Sequence, residues 1–224
     1  MSQTQLSVHT KLQIPVTIIH SPDMPAASKV SERPFTWPEV QQIINTNDLD
    51  VFARSRLQTE KYHAFKRELR LKGTTVYKHL LTGLLKWAKE DEIAGLSDSE
   101  IKVASSGDPI FTNADDLKII KNDFPYFFED NVAHLCVWTK QPIVSDKSTA
   151  LGDISKETRS VIDKYVYKTF VEKAGIPRDN LVWFRNWEAL QSVREISHIH
   201  VLIKDARNEQ IEALIGTPGA PLER

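Results

Sequence analysis

Cysteine is nearly absent from this sequence, since Cys136 is the single one in 224 residues. A disulfide framework is therefore excluded, and a reducing compartment fits the composition. The sequence also lacks any apolar run approaching the ~20 residues of a membrane-spanning helix, and its N-terminus has no apolar core of signal-peptide length. These absences predict a protein without membrane partners and with a cytoplasmic location, the nucleus being the alternative.

An excess of charge of one sign is also missing, because 29 basic residues face 30 acidic ones and the net charge is −1. Without a basic excess we expect no nucleic-acid partner. One local basic run extends from Arg54 to Lys72 and is interrupted by Glu60 and Glu68. Charge runs of this kind usually lie on the solvated face of a helix, and we interpret this one in the same way.

The chain is long enough for one large domain with a substantial core, since 41% of its residues are hydrophobic. Residues 1–33 are rich in Ser, Thr, Gln and Pro and predict a flexible N-terminal arm, in which Leu12 to Ile19 is a short strand or a surface tether. Residues 34–224 are predicted to form a single domain. Within it, a helical layer (34–116) precedes a β-rich core (117–215).

The order of predicted elements indicates an α+β fold. Thr36 and Pro38 suit a helix start, and Asp153 is a candidate cap for a long helix that ends before Gly175 and Pro177. After a block of helices, the predicted order is strand, strand, helix, strand, strand. This order predicts an antiparallel sheet packed against helices. The helices are expected over about 36–45, 49–72, 75–89, 153–174 and 207–215, and the strands over 117–120, 134–138, 181–184 and 196–203.

The strand over 196–203 carries two histidines on one face. Because strand residues alternate between faces, Ile199 and Val201 point to the core while His198 and His200 point to the opposite side, roughly 7 Å apart at the backbone. Two imidazoles this close favour at least one of them remaining neutral near pH 7.

A His-x-His pair is compatible with three interpretations. The first is a pair of ordinary polar residues on a solvated sheet face. The second is a metal site for zinc, iron or manganese, in which His134 on a neighbouring strand is the nearest candidate for a further ligand beside His198 and His200. The third is a neutral imidazole that attacks phosphorus, with the second histidine assisting. No cofactor is required by the third interpretation, and a divalent metal is required by the second.

Polar residues just ahead of this strand suit an anion site. Arg185 and Asn186 follow one strand, and Gln191 and Ser192 precede the next. Such side chains, together with backbone N–H groups, can hold a phosphate or a carboxylate. Each alone is most often a turn residue, and their concentration at one end of the histidine strand favours binding of a small-molecule substrate there. Cys136, on the face of His134, is expected to be a buried structural thiol.

Gln191-Ser192-Val193 followed by His198-Ile199-His200-Val201 resembles the signature of the histidine triad (HIT) superfamily, whose core has the same strand-strand-helix-strand-strand order as 117–203. The resemblance implies that His198 is the nucleophile that takes up a nucleotidyl group and that His200 assists at the phosphate. It also implies a homodimer as one expected state, since the superfamily often forms dimers. The sequence departs from this signature at two points. Ile196 stands where the first histidine of the triad would be, and some related transferases of the superfamily also replace triad members. The loop is two residues shorter from Asn186 to Gln191 and one residue longer from Val193 to His198.

A second resemblance covers 33–222 and rests on long, ordered blocks. The blocks are Arg33-Pro-Phe-Thr-Trp37, Asn122-Asp-Phe-Pro-Tyr-Phe127, His134-Leu-Cys-Val-Trp-Thr-Lys140, Trp183-Phe-Arg-Asn-Trp187, Leu190-Gln-Ser-Val193 and His198-Ile-His-Val201. Together they resemble the fungal N-acetylglucosamine-induced protein family, which implies a fungal, intracellular protein.

The predicted function is an enzyme, a transferase or hydrolase, that acts on a phosphate-bearing or other anionic small molecule of nucleotide or nucleotide-sugar type through His198 and His200. The alternatives are a metal-dependent enzyme of a biosynthetic pathway and a non-catalytic ligand-binding or regulatory protein linked to amino-sugar metabolism.

Overall fold

A four-stranded antiparallel sheet lies at the centre of the protein, in a computed structural model that describes residues 15–19, 28–149 and 151–224. The strands are β1 (Val16–Ile19), β2 (Ser28–Ser31), β3 (Leu117–Lys121), β4 (Val132–Thr139), β5 (Leu181–Phe184) and β6 (Ser197–Lys204). The α-helices are α1 (Trp37–Thr46), α2 (Arg56–Leu71), α3 (Val76–His79), α4 (Glu90–Ile93), α5 (Lys156–Val166) and α6 (Asn208–Glu212).

The central sheet has the strand order β3-β4-β6-β5, and every neighbouring pair is antiparallel. The register places Cys136 of β4 opposite His200 of β6, and Trp138 opposite His198. Phe184 of β5 lies opposite His200 on the other side. The predicted α+β class and antiparallel sheet are therefore confirmed.

The two faces of the sheet bury different kinds of residue. Ile199 and Val201 lie in an apolar core with Ile162 and Phe170, which come from α5 and from the π-helical segment that continues it over Tyr167–Lys173. The face that carries His198 is covered by residues from the helical layer over 34–116, which we call the N-terminal layer. The predicted alternation along 196–203 is thus observed, with both faces buried.

The predicted helix over 49–72 is two separate elements. A 3₁₀ turn spans Leu49–Val51, and α2 begins only at Arg56, with Ser55 accepting a hydrogen bond from the Gln58 N–H. The intervening residues are extended because Phe52 is buried in the aromatic core and Arg54 makes a parallel bridge to Val30. Tertiary contacts therefore override the helical periodicity here.

Two further helices differ from their predicted form. The region 75–89 is α3 followed by a π-helical segment, Leu80–Leu85, which ends at Lys86 with φ +55°. The long helix is capped by Ser155, whose hydroxyl accepts from the Thr158 N–H. Asp153 instead accepts hydrogen bonds from the Arg159 guanidinium at 3.0 and 3.2 Å, which leaves the cap to Ser155.

Two short strands lie within the predicted N-terminal arm. β1 and β2 pair in antiparallel fashion, and Val30 of β2 is 1% exposed. Residues 1–14 and 20–27 lie outside the described residues, so the predicted strand over Leu12 to Ile19 is observed from Val16 onward. No helix among the described residues is both long and apolar enough to cross a bilayer.

Candidate active site

A cavity of about 170 Å³ lies between the histidine face of the sheet and the N-terminal layer. Trp138, His198 and His200 line it from the sheet, and Arg54 and Tyr62 line it from the opposite layer. Asn122, Asp123, Asn186 and Ser192 contribute from the connections between strands. The N-terminal layer therefore covers a site whose tryptophan and histidines lie on β4 and β6.

His198 presents a neutral imidazole to this cavity. Its ring stacks on the Trp138 indole, with 4.0 Å between centroids and 26° between planes, and it meets His200 edge to face at 5.0 Å. Burial lowers the pKa of His198 to about 4, with the Arg185 charge acting in the same direction and a hydrogen bond to the Ile196 backbone opposing both. Since His198 and His200 are 8% and 6% exposed, the interpretation as polar residues on a solvated face is wrong.

A hydrogen-bond chain fixes the protonation of the deeper histidines. The Phe124 N–H donates to Asn122 Oδ1 at 3.0 Å, so the Asn122 Nδ2 group must donate to His134 Nε2 at 3.2 Å. Nε2 of His134 is consequently an acceptor, and His200 Nδ1, 2.9 Å away, must carry the proton that lies between them. His134 then carries its own proton on Nδ1, which has no partner among the described residues.

The same chain determines how His200 meets Asn186. A neutral His200 with its proton on Nδ1 accepts at Nε2, where Asn186 Nδ2 donates at 3.2 Å. Asn186 Nδ2 also donates to the Tyr126 hydroxyl at 3.1 Å. The ring of His200 is further held by Phe184, which stacks on it at 4.7 Å with 12° between planes. Both nitrogens of His200 are thus engaged, whereas His198 keeps a ring nitrogen for a ligand.

All three imidazoles are neutral at physiological pH. Burial is the main cause in each case, and it lowers the pKa of His134 to about 3. The pKa of His200 lies well below its usual value, because burial is joined by the nearby His198, His134 and Arg54. A neutral imidazole can donate an electron pair, which the cationic form cannot.

Arg54 and Lys121 are basic residues in the lining of the cavity, and Asp123 is an acidic one. Arg54 is the basic residue that approaches from the N-terminal layer. Its guanidinium lies 4.6 Å from the Tyr62 ring centre and 5.6 Å from that of Tyr126, and its Nε donates to the Phe124 carbonyl at 2.8 Å. None of the salt bridges found within 15–19, 28–149 and 151–224 involves this residue. An arginine without an acidic partner in a half-buried cavity is suited to binding an anion.

The interpretation of Arg54 as part of a solvated helix face is therefore wrong. It precedes α2 and lies in the extended segment that bridges to Val30, so it does not share the orientation of the helical basic residues. Ser55 is a favourable N-cap residue type, and this signal could have placed Arg54 outside the helix. Nothing local in the sequence indicates which cavity it reaches.

The predicted anion-binding residues divide into two groups. Asn186 and Ser192 line the cavity, and Gln191 supports them by donating from Nε2 to the Asn186 carbonyl at 2.8 Å. Arg185 is turned away and donates to the Ile143 carbonyl at 3.1 Å, to the Gly152 carbonyl at 3.3 Å and to Ser145 Oγ at 3.2 Å.

The reason for the position of Arg185 is the alternation of an extended chain, because Phe184 already faces His200. Its neighbour consequently points to the other side of the sheet. Arg185 was predicted to belong to the anion site, but it does not line the cavity. Its side chain instead holds Ile143, Ser145 and Gly152.

Metal-ligating side chains also meet beside the cavity. His134, Cys136 and His200 are all buried, and one ligand atom from each lies within 4.8 Å of the other two. His198 is not in this group, because its ring is held against Trp138. Of the predicted metal set of His134, His198 and His200, the structure therefore brings His134 and His200 together, with Cys136 beside them. Burial, reinforced by Asp123, raises the pKa of the Cys136 thiol, so it is protonated in the metal-free protein.

Comparison with known proteins identifies relatives over most of the chain. The family model described as "Protein of unknown function (DUF3605)" matches residues 36–204. N-acetylglucosamine-induced protein 1 of Candida albicans is 46% identical over 198 residues, which cover 86% of this chain and 77% of that protein. A Saccharomyces cerevisiae protein named Uncharacterized protein YPL067C is 29% identical over 170 residues, or 75% of this chain and 77% of that protein.

One solved structure shares the fold. The structure titled "Crystal Structure of HTC1" matches with a TM-score of 0.62 and 24% sequence identity, over 83% of this chain and 99% of that chain. At this identity the match shows a common fold alone.

Proposed function

This chain belongs to the family described as Protein of unknown function (DUF3605), and from the geometry of its cavity we propose that it is an enzyme acting on a small phosphate-bearing molecule. The observation that carries the proposal is that Arg54 and His198 face one cavity, the first as a cation without an acidic partner among the described residues and the second as a neutral imidazole. An anion held by the arginine would share the cavity with the imidazole, as an attack on its central atom requires.

The size of the cavity limits what it can enclose. Its volume of about 170 Å³ is below the roughly 300 Å³ at which pockets for drug-sized ligands begin. The proposed substrate therefore places its phosphate end in the cavity, while a larger remainder, such as a sugar, extends outward. A whole nucleotide sugar would not be enclosed.

The low pKa of His198 favours a nucleophile over a general base. A base with a pKa near 4 accepts protons poorly at neutral pH, whereas the lone pair of a neutral imidazole is available to attack phosphorus. In the proposed step the ring nitrogen bonds to phosphorus as the bond to the leaving oxygen breaks, and the electron pair departs with that oxygen. Water then adds through its oxygen as the nitrogen–phosphorus bond breaks, and one of its protons ends on the leaving oxygen.

We further infer a histidine-triad-like core formed by β3, β4, α5, β5 and β6, with His198 as the middle histidine. The element order and the position of His198 on an inner strand support this inference. In this assignment His200 positions the nucleophile by an edge-to-face contact between the two rings, whose centroids are 5.0 Å apart. It does not assist through a lone pair, because its Nε2 accepts from Asn186.

Thermal unfolding with chosen probes tests the proposal. Inorganic phosphate, N-acetylglucosamine 6-phosphate, AMP and UDP-N-acetylglucosamine form the panel, since the Candida relative is named for induction by N-acetylglucosamine. A probe at 100 times its Kd should add about 2.7 kcal/mol to the free energy of unfolding. Arg54→Gln should abolish this gain, whereas Arg67→Gln, the matched change on the exposed face of α2, should retain it.

Turnover is measured separately as release of inorganic phosphate from AMP or N-acetylglucosamine 6-phosphate, and as release of UMP from UDP-N-acetylglucosamine. His198→Ala should retain stabilisation and lose release. Stabilisation without turnover in the wild type would favour a non-catalytic ligand-binding protein, and equal loss in the Arg54 and Arg67 variants would overturn the anion site.

A further inference from the structure

The group formed by His134, Cys136 and His200 has the geometry of a metal site. His134 and Cys136 are alternate residues of β4 and share a face, and His200 lies opposite Cys136 on β6. His134 Nε2 is 2.9 Å and Cys136 Sγ is 3.5 Å from His200 Nδ1. Two nitrogens bound to one ion at about 2 Å lie roughly 3 to 3.5 Å apart, and a thiolate binds at about 2.3 Å, so small side-chain shifts suffice.

We propose that His134, Cys136 and His200 bind a copper ion, a role that goes beyond the proposed phosphate chemistry and does not use His198. Two imidazoles and one thiolate in a trigonal arrangement form a set that suits copper, whereas hard ions prefer carboxylate and carbonyl oxygen. Among the described residues the group contains no carboxylate, which argues against magnesium, calcium and manganese.

Charge balance favours the monovalent ion. Copper(I) and one thiolate are neutral together, while a divalent ion leaves a net positive charge in a buried site. A net positive charge is costly where all three ligating side chains are buried. The site therefore selects copper(I) over zinc.

The protonation states of the three side chains are compatible with the binding of copper(I). His134 already carries its proton on Nδ1 and needs no change to bind through Nε2. His200 must move its proton from Nδ1 to Nε2, where a rotated Asn186 amide would accept it through Oδ1, an atom that is buried and without a partner. Cys136 releases its thiol proton to solvent as the sulfur–copper bond forms, and the ion replaces the donor contact from Asn122 Nδ2.

Competition with a chromogenic copper(I) chelator tests this site. Protein purified without a histidine tag is titrated with copper(I) under anaerobic conditions, with bathocuproine disulfonate as the competitor. We expect one copper and one released proton per chain. Cys136→Ser should weaken binding by at least about tenfold, since even changes to the partners of metal ligands cost 10- to 100-fold. His198→Gln should retain the wild-type affinity.

A measurement on the wild type guards against misfolded variants. X-ray absorption at the copper edge should show one sulfur and two nitrogen neighbours. Copper bound without sulfur, binding lost equally in His198→Gln, or failure of copper(I) to displace zinc from zinc-loaded protein would each overturn the proposal. Failure of copper binding leaves the phosphate assays of Arg54 and His198 unaffected, so the two proposals fail separately.

Discussion

The imidazole of His198 lies face to face with the indole of Trp138, at 4.0 Å between ring centroids. This contact and the cover from the N-terminal layer exclude water from the ring, and burial is the largest cause of its lowered pKa. His198, His134 and His200 therefore remain neutral in the folded protein under conditions in which the unfolded chain binds protons.

Stability is expected to fall as the pH is lowered from about 6.5 to about 4. In this window each of these histidines is protonated in the unfolded chain and neutral in the folded one, so acid favours unfolding by about 1.4 kcal/mol per pH unit for each group. Urea unfolding at pH 7, 6 and 5 measures the slope. His198→Gln should reduce this slope by about 1.4 kcal/mol per pH unit, because one fewer proton is taken up on unfolding. An unchanged slope would contradict the low pKa of His198.

Both deeper histidines are expected to carry their protons on Nδ1. The hydrogen bond from the Phe124 N–H to Asn122 Oδ1 starts the chain that requires this. Long-range ¹⁵N–¹H NMR of labelled imidazoles reports the tautomers directly. A His200 ring with its proton on Nε2 in the metal-free protein would refute the derived chain, and the same shift on adding copper(I) is expected.

Arg185→Gln should lower the free energy of unfolding, and weaken the attachment of Ile143, Ser145 and Gly152, without weakening anion binding. The substitution removes donors to two carbonyls and to Ser145 Oγ, and leaving buried acceptors unpaired costs about 1–3 kcal/mol. Urea unfolding and the rate of proteolytic cleavage within 143–152 measure the effect. Loss of phosphate-probe binding in this variant, with Arg54 intact, would return Arg185 to the anion site.

Gly219→Ala should destabilise the fold more than Gly107→Ala. Both glycines have positive φ, +74° and +81°, which costs a non-glycine residue about 1–2 kcal/mol. A Cβ at Gly219 would also lie 2.5 Å from the Tyr165 hydroxyl, whereas a Cβ at Gly107 has no atom within 4 Å. We expect about 1–3 kcal/mol more for Gly219. Equal melting temperatures for the two variants would show that this clash is relieved without cost.

The period-two pattern of 196–203 was sufficient to predict the strand, its faces and the pairing of His198 with His200 on one side. The family resemblance was equally local, because it rests on contiguous blocks, and the 46% identity to the Candida protein confirms it. His134 was also predicted as a neighbour, since a second strand with a histidine at a matching face is visible in the sequence.

The remaining parts of the site depend on long-range contacts. Arg54 reaches the cavity because a segment far away in sequence bridges to it, and Cys136 joins the metal-ligating group because of the register between β4 and β6. The orientation of Arg185 follows from where β5 ends. Side-chain periodicity carries no information on the Val30–Arg54 bridge or on the register between β4 and β6. It does determine that Arg185 points away from the face of Phe184, once the end of β5 is known.

The bridge between Val30 and Arg54 links the first strands of the chain to the chemistry of the cavity. Ser31 N–H also donates to the Arg54 carbonyl at 2.8 Å, so the segment that carries Arg54 is held by the chain preceding Arg33. Removal of that part of the chain would release the backbone at Arg54. Under the proposed function, the N-terminal segment is therefore a specificity element, because it holds the arginine that we propose to bind the anion.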